Sequence, residues 1–410
     1  MPLNHTLPNA HQAEPNQPLS HTLSAQSGSY LASDVILLLD IIAKDSVADV
    51  PVDQKEALIQ SGQQHYSDML TLERAPSKTH EQLFQQALIQ GTERMAADIA
   101  SLAHTLQTIF SDKVSPASPL ILVSLVRAGL PIGVLLQRAL SDSQAPNQLP
   151  SRHYGISIIR DRGLDPVALQ TILLTYPDSP IIFVDGWTGK GAIYGELERS
   201  LAPFNHVEHP NYKNIYHQSH QDIATIPLLT LADPADVAWL SASHTDWLIP
   251  SGLLGSTVSG LISRTLYTEP STNLSSGLHR SVLYDNLADF DHSLMFVDTI
   301  DSARRRLVSA GHSGLLLPLH PTARYSTQPI ISKLAAQYHI DNPNRIKPTI
   351  AEATRALLRR DPDRVLLASA QHPDTVLLRH LCDQKRLKID IAGDDILPYQ
   401  AVTIIKDRSD

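Results

Sequence analysis

The sequence predicts an α/β protein: a parallel sheet flanked by helices, followed by a small α/β module at the C-terminal end. Three observations carry that prediction. Apolar runs at 120–126, 156–159 and 181–184 alternate with helix-periodic stretches at 131–140, 166–174 and 192–201, the chain order of a doubly wound sheet. The runs Leu120-Ile-Leu-Val-Ser-Leu-Val126 and Ile181-Ile-Phe-Val184 show almost no polar alternation, as strands covered on both faces require. Near the end, a helical stretch at 350–358, a strand-like run at 364–368 and a helical stretch near 375–384 form a second, smaller unit.

The earlier elements read as helices that flank the sheet. Asp34-Val-Ile-Leu-Leu-Leu-Asp-Ile-Ile42 and the stretch from Leu83 to Leu106 both space apolar residues at i, i+3 and i+4. A chain of 410 residues exceeds one typical domain. The expected organisation is a disordered tail over 1–26, a large region over 27–340 (helical over 27–115, α/β over 116–340) and a module over 341–410. The tail is rich in Pro, Asn, Gln, Ser and His and lacks the basic start and apolar core of a signal peptide. Its His5, His11 and His21 have no ligand spacing, so no metal site is expected. One cysteine excludes a disulfide framework. No uninterrupted apolar run approaches membrane-spanning length. A cytoplasmic location with no membrane partner is the expectation.

Two turns suit anions. Ile181-Ile-Phe-Val184 ends at Asp185, and then Gly186-Trp-Thr-Gly-Lys-Gly191 leads into the helical stretch from Ala192. Glycines let backbone N–H groups approach a phosphate, and the helix dipole favours it. The glycine spacing is too short for a P-loop, and Gly191 stands where Ser or Thr would hold magnesium. Earlier, Leu120–Val126 delivers Arg127-Ala-Gly129 in the same strand, turn and helix order. Arg160-Asp-Arg162 follows a third apolar run. Arg127, Arg160 and Asp185 would therefore meet beyond the carboxyl ends of the strands. A carboxylate ending a buried strand is costly unless it binds something, which singles out Asp185.

Together these segments resemble the phosphoribosyltransferases. In that family a Thr-Gly loop holds the 5′-phosphate of phosphoribosyl pyrophosphate and an Arg-Ala-Gly loop meets the pyrophosphate. The resemblance implies phosphate contacts at Ala128, Gly129, Thr188, Gly189, Lys190 and Gly191, catalytic roles for Asp185, Arg127, Arg160 and Asp161, and Mg²⁺ bound with phosphoribosyl pyrophosphate or a related nucleotide. One departure is that Asp185 is followed by Gly186 and not by a second acid. The wider chain, from about Ser27 to Lys406, resembles a narrower group from bacterial tellurite-resistance (ter) gene clusters, which ends in a Pelota-like RNA-binding domain and also carries the label cysteine protease StiP. That likeness rests on Ser27-Gly-Ser-Tyr30, Ser61-Gly-Gln-Gln-His-Tyr-Ser67, Ile156-Ser-Ile-Ile-Arg-Asp-Arg-Gly163, Ser256-Thr-Val-Ser-Gly-Leu-Ile-Ser-Arg264 and Lys347-Pro-Thr-Ile-Ala-Glu-Ala-Thr-Arg355.

The segment Asp246–Arg264 reads as another strand, turn and helix, with Ser256 and Thr257 as N-cap hydroxyls and Arg264 beyond them: a second anion or acceptor site. Proteolysis needs a thiol activated by a nearby His. The chain offers only Cys382, within an apolar-periodic stretch, and His380 two residues away faces elsewhere on a helix. Residues 341–410 hold 12 Lys/Arg and 11 Asp/Glu, against 21 and 31 over 1–340, so a polyanion should prefer the C-terminal module. The Pelota-like resemblance implies RNA contacts around Lys347, Glu352, Arg355, Arg359 and Arg360. The function expected from all this is phosphoribosyl transfer to an unnamed acceptor, with a non-catalytic nucleotide sensor or RNA-binding adaptor second and a cysteine protease third.

Overall fold

The computed structural model describes residues 27–143, 148–202, 226–267 and 277–407. In chain order its strands are β1 (Ile36–Leu38), β2 (Asp40–Ile42), β3 (Leu120–Val126), β4 (Ser151–Ile159), β5 (Gly163–Leu164), β6 (Ile181–Trp187), β7 (Leu228–Ala232), β8 (Leu240–Ser243), β9 (Arg280–Val282), β10 (Ile346–Pro348), β11 (Pro362–Leu367), β12 (Lys388–Ile391) and β13 (Ala401–Ile405). Its α-helices are α1 (Val52–Gln60), α2 (Lys78–Phe110), α3 (Gly129–Leu140), α4 (Pro166–Thr175), α5 (Ala192–Leu201), α6 (Ser293–Ser309), α7 (Gln328–Gln337), α8 (Ile350–Arg359) and α9 (Val376–Lys385). Among the described residues no helix is long and apolar enough to cross a membrane.

The expected flanked parallel sheet is present. A seven-stranded sheet runs β1-β4-β3-β6-β7-β8 with every neighbouring pair parallel, and the short β5 lies antiparallel on β4. Successive side chains serve two cores. Leu120 and Leu122 of β3 and Ile182 and Val184 of β6 pack with Phe84 and Leu102 of α2 and Leu130 and Leu135 of α3. Ile121, Val123, Ile181 and Phe183 meet Leu169 and Ile172 of α4 and Leu197 and Leu201 of α5. Burial on both faces is why these runs lack alternation. Each fully buried side chain of this size contributes about 1.5–3 kcal/mol.

The strand order reverses between β3 and β6: α3 carries the chain from β3 to β4 on one side, and β6 lies on the other. A crevice opens at such a switch point, beyond the carboxyl ends of the strands. Arg127 follows β3 there, and Asp185 lies near the carboxyl end of β6.

Two expectations are corrected. Residues 34–42 are not helical: β1 pairs parallel with β4, and β2 pairs parallel with β9. A short apolar run is ambiguous in period, and the open edge at β4 decided it. Residues 246–264 form no strand and helix. They contain two three-residue 3₁₀ turns, Pro250–Gly252 and Ser256–Val258, because Pro250, Gly252, Gly255 and Gly260 interrupt helical propagation.

The C-terminal module has a mixed sheet in the order β10-β13-β11-β12. On one face Ile331 and Leu334 of α7 pack against Ile346, Leu366, Val402 and Ile404. On the other, Ala353 and Leu357 of α8 and Leu377 and Cys382 of α9 join a core that continues without a break to α2 and α3. The start of α8 is tied down twice. Thr349 caps it by accepting from Glu352 N at 3.2 Å, and the Asp246 carboxylate accepts from Ile350 N at 3.1 Å and Gln400 N at 2.9 Å.

Candidate functional site

The docked α8 closes the crevice from above. It projects Glu352, Arg355 and Arg359 over the turns after β3 and β6, enclosing about 250 Å³ lined also by Arg127, Ala128, Arg160, Asp185, Trp187, Thr188, Gly189, Lys190, Gly191 and Arg264. Residues proposed separately for a phosphate site and for an RNA face thus share one wall.

Each turn is held from behind. The Thr188 hydroxyl donates to Asp233 Oδ1 at 2.5 Å and accepts from Ala235 N at 3.1 Å, so it fixes the loop to the end of β7. Gly191 sits at φ +79° ahead of α5, a conformation that favours glycine. Tyr399 OH donates to Gly189 O at 2.8 Å. Lys190 Nζ reaches Pro343 O at 2.5 Å and Ile346 O at 3.3 Å, binding the loop to the C-terminal module. Gly129 does not line the crevice: it begins α3 where an added Cβ would come within 2.1 Å of Val184 O, so its role is close packing of turn against strand.

Six cationic side chains line the crevice against two carboxylates, Asp185 and Glu352. Arg127 donates to Ile262 O at 2.9 Å and pairs with Glu73. Burial works to raise the Glu73 pKa, but Arg127 and Arg359 outweigh it and hold the carboxyl well below its usual range. Arg359 shares that carboxylate at 3.3 Å. Arg355 has no carboxylate partner among the described residues. It donates to Gly252 O at 3.3 Å and lies 4.6 Å from the Trp187 ring centre. Arg264 donates to Tyr66 O at 2.7 Å, while its Nη1 is buried without a hydrogen-bond partner. Arg160 reaches Asn344 Oδ1 at 3.2 Å, and its Nε is likewise unpartnered. Burial, with neighbouring cations second, pushes Arg355 down to about 9 and Lys190 down to about 8. Burial pushes Asp185 up to about 7, although Gly186 N donates to it at 2.8 Å.

Besides Gly129, five expected site residues lie outside the crevice lining. Asp161, at φ +65°, turns its side chain outward, 62% exposed and 3.8 Å from His65. Its backbone N–H donates to Glu196 at 2.7 Å. Ser256 and Thr257 open a three-residue 3₁₀ turn, which offers no helix N-terminus; Ser256 N already donates to Glu73 at 2.7 Å. Lys347 is buried on β10 within the module, and Arg360 pairs with the buried Glu56 at 2.8 Å. The expected RNA face is therefore packed inward in this arrangement. Cys382 is fully buried, with its thiol pushed up to about 12 by burial. No hydrogen bond joins it to His380 among the described residues.

Sequence reasoning missed Glu73, Trp187 and Asp233. Asp233 had a signal, since a carboxylate follows the run Leu228-Leu-Thr-Leu-Ala232 as Asp185 follows Ile181–Val184. Glu73 had none, because it acts from a loop far from the crevice in sequence.

Fold and site define an α/β protein with a buried, arginine-rich crevice closed by its own C-terminal module. Residues 28–301 match the family described as tellurite-like stress resistance cysteine protease StiP, and residues 325–407 match the PELOTA RNA binding domain. A curated relative from Acinetobacter baylyi (strain ATCC 33305 / BD413 / ADP1), named cysteine protease StiP, is 43% identical over 388 residues, covering 93% of this chain and 94% of the relative. The chain belongs to the StiP family. A solved hypoxanthine phosphoribosyltransferase from Trypanosoma cruzi superposes with a TM-score of 0.26 at 14% identity, over 53% of this chain and 92% of that one; a likeness that weak carries no argument. The transferase function expected from the sequence is overturned by the near full-length relative, whose name is that of a protease. The anion-ready turns that suggested transfer are present as geometry, but anion binding alone does not specify a reaction.

Proposed function

We propose that the crevice between β3, β6 and α8 binds a compact, multiply charged phosphate ligand, of the class of phosphoribosyl pyrophosphate or a related nucleotide, in a protein of the StiP family. The observation that supports it is the excess of buried cations over carboxylates, together with buried guanidinium N–H groups of Arg160 and Arg264 that have no partner. Uncompensated buried charge is costly, and an anion supplies the missing partner. Asp185 and Glu352 are the carboxylates at hand for Mg²⁺, which takes one or two carboxylates and completes its shell with water and ligand phosphates.

Calorimetric titration of phosphoribosyl pyrophosphate, ATP and inorganic pyrophosphate, each with Mg²⁺, tests this on the wild type and on Arg355→Ala. We expect binding by the wild type and at least a tenfold loss in the variant, about 1.4 kcal/mol or more. No binding of any of the three by the wild type would sink the proposal.

The relative's name brings a second reading, peptide hydrolysis. A thiolate nucleophile needs a lowered pKa and access, and Cys382 has neither. Any peptidase activity should therefore survive Cys382→Ser; its abolition in a variant that retains wild-type circular dichroism would restore the thiol reading. RNA contacts through Lys347, Arg355 and Arg359 would require the C-terminal module to lift from the crevice, so a phosphate ligand and RNA should compete for this face.

A further inference from the structure

A second group of ligating side chains lies outside the crevice, where the connection from α6 to α7 crosses the loop between β7 and β8. Asp236, His244 and His320 each offer one atom, and the three atoms lie within 4.8 Å of one another. The Nε2 atoms of the two histidines face each other at 3.3 Å with their rings at 90°. Two ligand nitrogens bound tetrahedrally at about 2.0–2.1 Å from one Zn²⁺ stand about 3.3 Å apart, so the spacing is that of a filled site.

The surroundings prepare these atoms as ligands. His244 Nδ1 lies 3.1 Å from Asp233 O; a carbonyl only accepts, so this bond puts the ring proton on Nδ1 and turns the Nε2 lone pair toward His320 Nε2, the tautomer common at metal-bound histidines. Arg324, 3.5 Å from the Asp236 carboxylate, steadies the third ligand. Two imidazoles and a carboxylate suit a divalent ion of the zinc class better than Mg²⁺ or Ca²⁺, which prefer all-oxygen shells.

We propose that Asp236, His244 and His320 form a zinc-class metal site, with three protein ligands and a fourth position open to water, that staples the α6–α7 connection to the β7–β8 loop and to the residue after β8. The same two segments are already laced by His320 N to Trp239 O at 2.8 Å, Arg324 N to Asp236 O at 2.8 Å and Ser326 N to Ala235 O at 3.1 Å. Asp233, whose carbonyl orients His244, also receives the Thr188 hydroxyl, so the ion would stiffen the wall behind the phosphate turn.

The test uses the full chain, stripped with a chelator and equilibrated with Zn²⁺, with bound metal counted by mass spectrometry and Co²⁺ absorption reporting tetrahedral geometry. His244→Ala and His320→Ala should each lose one equivalent of tightly bound metal, the tetrahedral Co²⁺ band and the Zn²⁺-dependent rise in Tm. His312→Ala, at another exposed histidine, should match the wild type and separates this site from the chain's other histidines. His244 is itself exposed, so its replacement leaves the core intact. Wild-type stoichiometry in both ligand variants, or no tight Zn²⁺ binding by the wild type, would overturn the proposal.

Discussion

A carboxyl group denied water keeps its proton, and Asp185 shows the consequence at the scale of one residue. Burial lifts its pKa from the usual carboxylate value to about 7, so the folded state resists an ionisation that the unfolded chain undergoes near pH 4. Below pH 4 both states are protonated and the group costs nothing. As pH rises through 4 to 7 the unfolded state loses its proton first, and stability falls by about 1.4 kcal/mol per unit. Asp185→Asn removes this dependence. Denaturant unfolding should show the variant near wild type at pH 4 and more stable by several kcal/mol at pH 8. A gap that does not widen with pH would show that the cations around Asp185 already hold it ionised. The sequence pointed to Asp185 because a carboxylate ends an apolar run. It could not point to Arg355 as a crevice residue, since that arginine sits on an amphipathic helix whose polar face looks like any solvated one.

At the scale of elements, α3 packs against β3 and β4 with no room for a side chain at Gly133. Gly133 lies where a Cβ would come 2.1 Å from Ser124 Oγ and 2.2 Å from His153 Nε2, and those two atoms are themselves 2.7 Å apart in a buried hydrogen bond. Gly133→Ala gains about 1 kcal/mol of helix propensity, but the crowding costs roughly 1–3 kcal/mol and breaks a buried polar pair. The net expectation is a lower unfolding midpoint in urea; an unchanged or raised midpoint would mean the pair shifts freely. Elements with long, uniform patterns were legible: strands at 120–126 and from 181, and helices at 166–174 and 192–201, lie within a residue or a few of the observed spans. The run at 34–42 was not, because its strand identity depends on a partner, β4, more than a hundred residues later.

For the whole molecule the decisive feature is that the C-terminal module is docked and completes the crevice. Asp246 is one fastener, accepting from Ile350 N and Gln400 N across the junction. Replacing it with Ala leaves those donors unpaired at about 1–3 kcal/mol. We expect Asp246→Ala to raise hydrogen exchange in α8 and to weaken phosphate-ligand binding, while exchange in β3 and β6 stays as in the wild type. Equal protection of α8 in both proteins would show that apolar packing alone holds the module. Local pattern in the chain sufficed for the doubly wound sheet, the two anion-suited turns and the existence of a second α/β unit, because hydrophobic period and turn chemistry are local properties. Only the tertiary structure decided that the arginines of α8 face inward over Asp185 and not outward, that Asp161 and Ser256 stand outside the crevice, and that Asp236, His244 and His320 meet. Those outcomes depend on which surfaces bury one another, and burial is a relation between segments far apart in the chain that no local pattern encodes.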